Sequence, residues 1–311
     1  MNLSENIIEL GQLNGSKLFP RRREEINEAI PYFQISKDER GKYTFQSFNY
    51  EFHDNANRMP MWEQYMKAYI LPFVNQNICG FYNIELHDSY TYLKNNQSYK
   101  NVLSFSKFKN QIGPVLIPDP YMITNWNGML NSINDPIDWM DKKNKVAFFG
   151  TTTGDRDHSK NIRIDLCRWA KDKPFADFYI TKVAQMNPNN IPDIKSIYHE
   201  PVTPSEQLNY KFNLNVDGNT CRFDVWQMKT NLINLKYKSQ EMLWYHPLLQ
   251  NDIVSKEVTK DTMFNEMTFF NNNVEYARNM IFQSKRIAND LFRPINHQKY
   301  TISLFDSVEI H

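Results

Sequence analysis

An α/β fold with parallel sheets, divided into about two domains, is the class this sequence predicts, and three observations predict it. The 311 residues exceed the roughly 150 typical of one domain. Short apolar runs of strand character alternate with amphipathic helical stretches, the pattern of βαβ units. Two of those runs end in glycine-bearing polar loops that lead into a helix, and a strand–helix–strand unit implies parallel pairing. A composition of 41% hydrophobic and 23% charged residues, with 9 Gly and 15 Pro, excludes collagen-like, low-complexity and disordered classes. Lys+Arg 36 against Asp+Glu 35 gives a net charge of +1, so no broad basic surface for nucleic acid is expected.

Taken in order, residues 1–60 mix polar and aromatic residues without a clear element. Within them Arg21-Arg22-Arg23-Glu24-Glu25 reads as a solvated helix face, its cations balanced at once by carboxylates. From Met61 to Val74 apolar and aromatic residues recur at helical spacing. The segment Phe81 to Asp88 then alternates, with Tyr82, Ile84 and Leu86 on one side, and predicts a strand that ends on Asp88. Val102 to Phe108 follows, and Val115-Leu116-Ile117 is a strand stopped by Pro118 and Pro120. The Asn- and Asp-rich stretch Asn131 to Asn144 reads as a crossing between two halves.

In the second half, Val146 to Gly150 predicts a strand, Thr151 to Asp157 a loop, and Ile162, Leu166 and Trp169 the face of a helix. Tyr210 to Thr220 predicts a strand and its loop, Cys221 to Lys229 a helix, and Leu232 to Leu235 the next strand. Met263, Met267, Phe270, Val274, Ala277, Ile281, Ser284, Ala288 and Leu291 keep a helical rhythm, so a helix or helix pair is expected, its methionines serving as core. Cys79, Cys167 and Cys221 are an odd number without C-x-x-C spacing and read as reduced thiols. No apolar run approaches the ~18 residues of a membrane span. The first residues lack the basic and apolar regions of a leader, so a cytosolic chain is expected.

Four places could carry chemistry. At Gly218-Asn219-Thr220-Cys221-Arg222 a strand ends on glycine, Thr220 can cap the following helix, and Arg222 falls in its first turn. Such a terminus suits an anion such as a diphosphate, or it is an ordinary βα turn with a surface arginine. The Gly150 to Gly154 loop could touch a phosphate or nucleoside. It is neither a G-K-[ST] P-loop nor a G-x-G-x-x-G fingerprint, which argues against P-loop ATPases and dinucleotide dehydrogenases. Asp155-Arg156-Asp157 has a spacing that can hold a divalent cation, and also one common by chance in loops. Asp88, beside His87, is either a base at the carboxyl end of a strand or a cap for the turn at Ser89. His158, His199, His246 and His297 are scattered without zinc-ligand spacing, and no G-x-S-x-G elbow occurs.

These segments together resemble glycosyltransferase family 90, which includes animal protein O-glucosyltransferases and fungal capsule xylosyltransferases. The most specific part is Tyr210-Lys211-Phe212-Asn213-Leu214-Asn215-Val216-Asp217-Gly218, then Arg222, then Asn231-Leu232-Ile233-Asn234-Leu235-Lys236, then Trp244-Tyr245-His246-Pro247-Leu248-Leu249. Phe148-Phe149-Gly150-Thr151-Thr152-Thr153-Gly154 with Arg163 is similar to the family's upstream loop, and Ile117-Pro118-Asp119 with Trp126 to an earlier element. The resemblance runs over roughly residues 80 to 310 in one order. Phe149 stands where the family has an arginine, and Asp252-Ile253-Val254-Ser255 replaces its expected segment after the Trp244 block.

The resemblance implies a GT-B-like fold, two Rossmann-like domains facing a cleft, with a C-terminal helix crossing back. It implies an N-terminal acceptor-side domain over 1–140, a nucleotide-sugar domain over 141–285 and a returning segment over 286–311. The implied activity is inverting transfer of glucose or xylose from a UDP-sugar to a glycan or protein hydroxyl, with no cofactor or metal required. Asp88 would be the base, and Arg222 with the amides after Gly218 would hold the diphosphate. Gly150, Thr151, Thr152, Arg163, Asn219 and Thr220 would lie around the nucleotide, and Glu241 toward its ribose. The alternatives are a noncatalytic nucleotide- or carbohydrate-binding relative and a metal-dependent transferase using Asp155 and Asp157.

Overall fold

The computed structural model describes residues 18, 20–51, 55–74, 77–86, 102–109, 114–120, 133–219, 225–249, 251–291 and 293–306. His87, Asp88, Trp126, Thr220, Cys221 and Arg222 lie outside these. The chain forms two compact units, the first made of Met1–Gly128, Glu241–Pro247 and Asp290–His311, the second of Met129–Gln240 and Leu248–Asn289. Each is an α/β unit built on a five-stranded sheet, the class that the alternating pattern predicts.

The sheet of the first unit contains β1 (Tyr32–Lys37), β2 (Tyr43–Phe48), β3 (Gly80–Glu85), β4 (Val102–Ser104) and β6 (Val115–Leu116), in the order β2-β1-β3-β4-β6. Strands β3, β4 and β6 run parallel, and β1 is antiparallel to both β2 and β3. A separate two-stranded ladder joins β5 (Lys107–Phe108) to β11 (Glu241–Met242).

The β1–β2 hairpin is absent from the sequence reading. Its apolar signal is aromatic: Phe33 stacks on Phe45 at 4.6 Å and on Tyr82 at 5.2 Å. Its turn is closed by the Asp38 carboxylate, which accepts from the N–H groups of Arg40 and Lys42, and by Gly41 at φ 73°. The expected helix face at residues 21–25 is a single 3₁₀ turn, Arg23–Glu25. Arg21 instead pairs with Phe81 through two backbone bonds of 3.0 Å, because the adjoining sheet edge takes its N–H and C=O.

Helix α1 (Arg58–Tyr65) begins three residues before the predicted stretch and runs into a π turn over Met66–Ile70, burying Met59, Trp62, Met66 and Ile70. The terminal helix of this unit spans Pro294–Asp306. From it the Tyr300 hydroxyl donates to the Leu116 carbonyl at 2.8 Å, and Phe305 meets Tyr82 edge-on. His297 is buried on the same helix, and burial pulls its imidazole down to about 4. The unfolded chain titrates near 6.5, so between those values it binds a proton that the folded chain refuses. Stability should be fully present above pH ~6.5 and fall by about 3 kcal/mol as pH drops to ~4. Urea midpoints across that range, compared with His297→Gln, check this: the variant's profile should be flatter.

The second unit has five parallel strands, β7 (Lys143–Thr151), β8 (Ala176–Lys182), β9 (Tyr210–Asn215), β10 (Ile233–Tyr237) and β12 (Lys256–Val258). Their order is β12-β10-β9-β7-β8. Counted from the first strand this is the doubly wound order 2-1-3-4-5. Val146, Phe148, Phe212, Leu214, Ile233 and Leu235 form the core with Ile164 and Cys167 of α2 (Ile162–Ala170). The predicted methionine-bearing stretch is a helix pair, α3 (Met263–Asn272) and α4 (Val274–Leu291), broken at Asn273. Met263, Met267, Phe270, Ala277 and Ile281 all join that core.

Beneath it the Lys142 ammonium donates to both oxygens of the Asp135 carboxylate at 2.9 and 3.0 Å and to the Leu208 carbonyl. Asp135 also accepts from the Asn231 N–H at 2.7 Å. Burial lowers the affinity of Lys142 for its proton, while Asp135 opposes that shift. Cys79 and Cys167 are free thiols, and burial pushes the Cys167 thiol up. No described helix is long and apolar enough to cross a membrane.

Candidate functional site

In a doubly wound sheet the order reverses at one point, and loops leaving the carboxyl ends of the two strands there diverge to opposite faces and leave a crevice. Here the reversal lies between β7 and β9. The two loops are Thr151–Asp157 and Val216–Asn219, the same two that the sequence singles out.

Both are tied to Arg163. The Asn161 side chain caps α2 by accepting from the N–H groups of Arg163 and Ile164 at 3.1 and 3.2 Å, which sets Arg163 in the first turn. Its guanidinium then bridges the strand ends. Nε donates to the Asp217 carbonyl at 2.9 Å and Nη2 to the Val216 carbonyl at 2.8 Å. Nη1 donates to the Thr151 carbonyl at 3.1 Å and the Thr153 hydroxyl at 2.9 Å. Arg163 thus holds the crevice in shape.

The glycines are required by this close approach. A Cβ on Gly218 would lie 2.6 Å from both Arg163 Nη2 and Thr153 Oγ1. Gly154 has φ 118°, and a Cβ there would meet the Gly218 carbonyl at 3.3 Å. Its N–H donates to the Asn219 side-chain oxygen at 3.1 Å, so the two loops are tied together directly. Gly150 answers a different demand, since a Cβ would sit 2.6 Å from the Phe148 ring.

Gly150, Thr151, Thr152, Arg163, Gly218 and Asn219 are therefore one neighbourhood, but with unequal parts. Thr152 is buried; its hydroxyl donates to the Ala184 carbonyl at 2.7 Å and accepts from the Ala184 N–H at 2.8 Å, pinning the loop to the segment after β8. Glu241 belongs to the first unit, on β11 opposite Phe108. Thr153 and Gly154, within the loop that the sequence points to, and the Asp217–Lys236 ion pair, to which it assigns no role, complete the crevice. Their signal was weak: Lys236 lies at the end of the next strand, and only the topology brings it beside Asp217.

The Asp155-Arg156-Asp157 triplet is committed to local turns. Asp155 accepts from the Asp157 N–H, and Asp157 from the N–H and hydroxyl of Ser159 at 2.9 and 2.7 Å. Those bonds, with Lys160 nearby, hold the exposed Asp157 carboxyl down to about 2. Among the described residues no three His, Cys, Asp or Glu side chains converge as a metal-holding group.

Phe149 stacks on Tyr179 at 6.0 Å and meets His199 and Tyr210 edge-on at 5.9 Å each. In the first unit, strand β3 spans Gly80–Glu85, ending three residues before the Asp88 at which the sequence pattern places its end, and the expected site at Asp88 lies outside the described residues.

A doubly wound parallel sheet with a polar, glycine-joined crevice at its switch point is the kind of site where α/β proteins take ligands. No family model matches the chain, and no curated protein matches it. Among solved structures it is similar to the C-terminal domain of a glycosyl transferase group 1 family protein from Francisella tularensis, with 8% identity and a TM-score of 0.35 over 52% of this chain and 94% of that one. It is also similar to a glycosyltransferase from Rickettsia africae, with 9% identity and a TM-score of 0.39 over 72% of this chain and 67% of that one.

Proposed function

We propose that the chain is an inverting, metal-independent glycosyltransferase that moves glucose or xylose from a UDP-sugar to a hydroxyl of a glycan or protein. The observation that carries this reading is the crevice between β7 and β9, where Gly218 and Asn219 lead directly into Thr220–Arg222 and Arg163 fixes the loops. Backbone approach at a glycine, followed by an arginine in the sequence, suits a pyrophosphate. The similarity to glycosyltransferase family 90 supplies the sugar chemistry.

In this reading Asp88 takes the proton of the acceptor hydroxyl. The freed oxygen attacks the anomeric carbon from the face opposite the diphosphate, and the carbon–oxygen bond to UDP breaks with its electron pair leaving on phosphate. Arg222 and the N–H groups after Gly218 stabilise that charge. Gly218→Ala tests the crevice, because the new methyl must displace a guanidinium held by its four neighbours. UDP affinity should fall roughly 10- to 100-fold, the worth of about one charge-assisted hydrogen bond. Stability should fall by about 1–3 kcal/mol. Calorimetric UDP titration and thermal melts measure both, and unchanged UDP affinity in the folded variant would remove the site.

Phe149 favours a second reading, a nucleotide- or carbohydrate-binding relative without turnover, since its ring joins an aromatic cluster where an arginine was expected. UDP release from UDP-glucose or UDP-xylose separates the two. Release supports the transferase, whereas tight UDP binding with no release in the presence of glycan acceptors supports the binder.

A further inference from the structure

The sheet of the second unit buries one face in the core and leaves part of the other open. Along β7, Val146 and Phe148 point into the core, and along β8 Phe178 and Ile180 do the same. Alternation turns Lys145, Phe149, Asp177 and Tyr179 to the opposite face. Parallel register sets Phe149 beside Tyr179, with the ring planes 21° apart. Past the edge of β8 the His199 N–H donates to the Ile180 carbonyl at 3.0 Å, which adds that segment to the sheet and brings the His199 ring 5.2 Å from Tyr179. Phe149 and Tyr179 are half-buried, His199 is exposed, and the buried Tyr210 closes the inner margin against Phe149.

Polar groups flank these rings. The Lys145 ammonium donates to the Asp177 carboxylate at 2.7 Å, and both side chains keep partial exposure, 38% and 18%. The His199 Nδ1 donates to the Glu200 carbonyl at 2.7 Å, which fixes the tautomer and makes Nε2 an acceptor. Lys143 lies 5.0 Å from the centre of the Tyr210 ring. Charges therefore balance around the rings, Lys143 and Lys145 against Asp177 and Glu200.

We propose that Phe149, Tyr179 and His199 form a platform for an uncharged glycan, with one pyranose ring lying on the Phe149–Tyr179 pair. A pyranose presents an apolar face of C–H groups, which packs on aromatic rings, and a rim of hydroxyls that both donate and accept. Asp177 and Nε2 of His199 accept from such hydroxyls, and Lys145 donates to one. The balanced charge disfavours an anionic partner such as nucleic acid or an acidic lipid surface. Size disfavours a protein: three partly covered rings offer about 300 Å², against ~800 Å² per side in a stable interface. The inference stands apart from the transfer reading, because a sugar held here need not react.

The test is calorimetric titration of the full-length chain with cellohexaose, maltohexaose, xylohexaose and mannohexaose, each repeated with UDP in excess. At least one is expected to bind with a Kd of about 10 μM to 1 mM, and UDP should leave that affinity within twofold. Tyr179→Ala and His199→Ala should each weaken it on the order of 10-fold, and Phe149→Leu, which keeps apolar volume but removes the ring, should weaken it similarly. Should Tyr179→Ala fail to fold, the exposed His199 carries the comparison.

No binding by any of the four oligosaccharides overturns the inference. So does binding that the ring variants leave within twofold of the parent, and so does binding that UDP abolishes, since the sugar then occupies the crevice. If an oligosaccharide binds through the rings while UDP does not bind at all, the transfer reading falls and the platform stands. If UDP binds and none of the oligosaccharides does, the platform alone falls.

Discussion

Asp88→Asn is expected to lower UDP-glucose- or UDP-xylose-dependent transfer by about 10²–10⁴-fold, the usual contribution of a positioned general base. Asparagine is nearly isosteric with aspartate and cannot accept the hydroxyl proton, so the change removes one chemical step and little volume. This reading gives the hold on UDP to the loops of the second unit and none of it to the base, so UDP affinity should stay within about twofold. The acid limb of the pH–rate profile should vanish with the rate. Single-turnover transfer beside calorimetric UDP titration makes the comparison, and undiminished transfer would disqualify Asp88.

Lys142→Met is expected to cost about 3–5 kcal/mol of stability, because it strands the Asp135 carboxylate in a site where its side chain is 1% exposed. For a unit of this size that corresponds to a fall in Tm of roughly 6–20 °C. The charged pair itself need contribute little; the loss comes from leaving one member behind. Asp135→Asn combined with Lys142→Met should therefore be more stable than Lys142→Met alone, even though Asp135 also receives the Asn231 N–H. Thermal melts of the two variants decide this, and equal or lower stability of the double variant would contradict it.

The parts of the fold that were legible in sequence are those governed by local period. Strand β7 carries a continuous apolar run over Val146–Phe149, β9 and β10 alternate apolar with polar residues at strand period, and the helix pair over 263–291 shows its core stripe directly. The β1–β2 hairpin was not legible because its apolar residues are aromatics spaced among polar ones, and its turn lacks the Asn-Gly or Asp-Gly signal.

The candidate site divides in the same way. Gly218 and the Gly150–Gly154 loop announced themselves as glycines at strand ends. The work of Arg163 depends on carbonyls 53 and 54 residues away, at Val216 and Asp217, and only the β7–β9 adjacency brings them within reach. Thr152 was readable as a loop threonine, but its hydroxyl is occupied by Ala184, 32 residues on.

The interleaving of the two units in the chain bears on synthesis. Strands β1 to β6 are translated ahead of the second unit, yet Tyr300 and Phe305, which bury against that sheet, follow it. The nascent first unit must wait with part of its apolar surface uncovered, whereas the second unit has every strand and helix it needs once residue 289 has left the exit tunnel. Vectorial folding here should run out of chain order, with the back half consolidating before the front half can close.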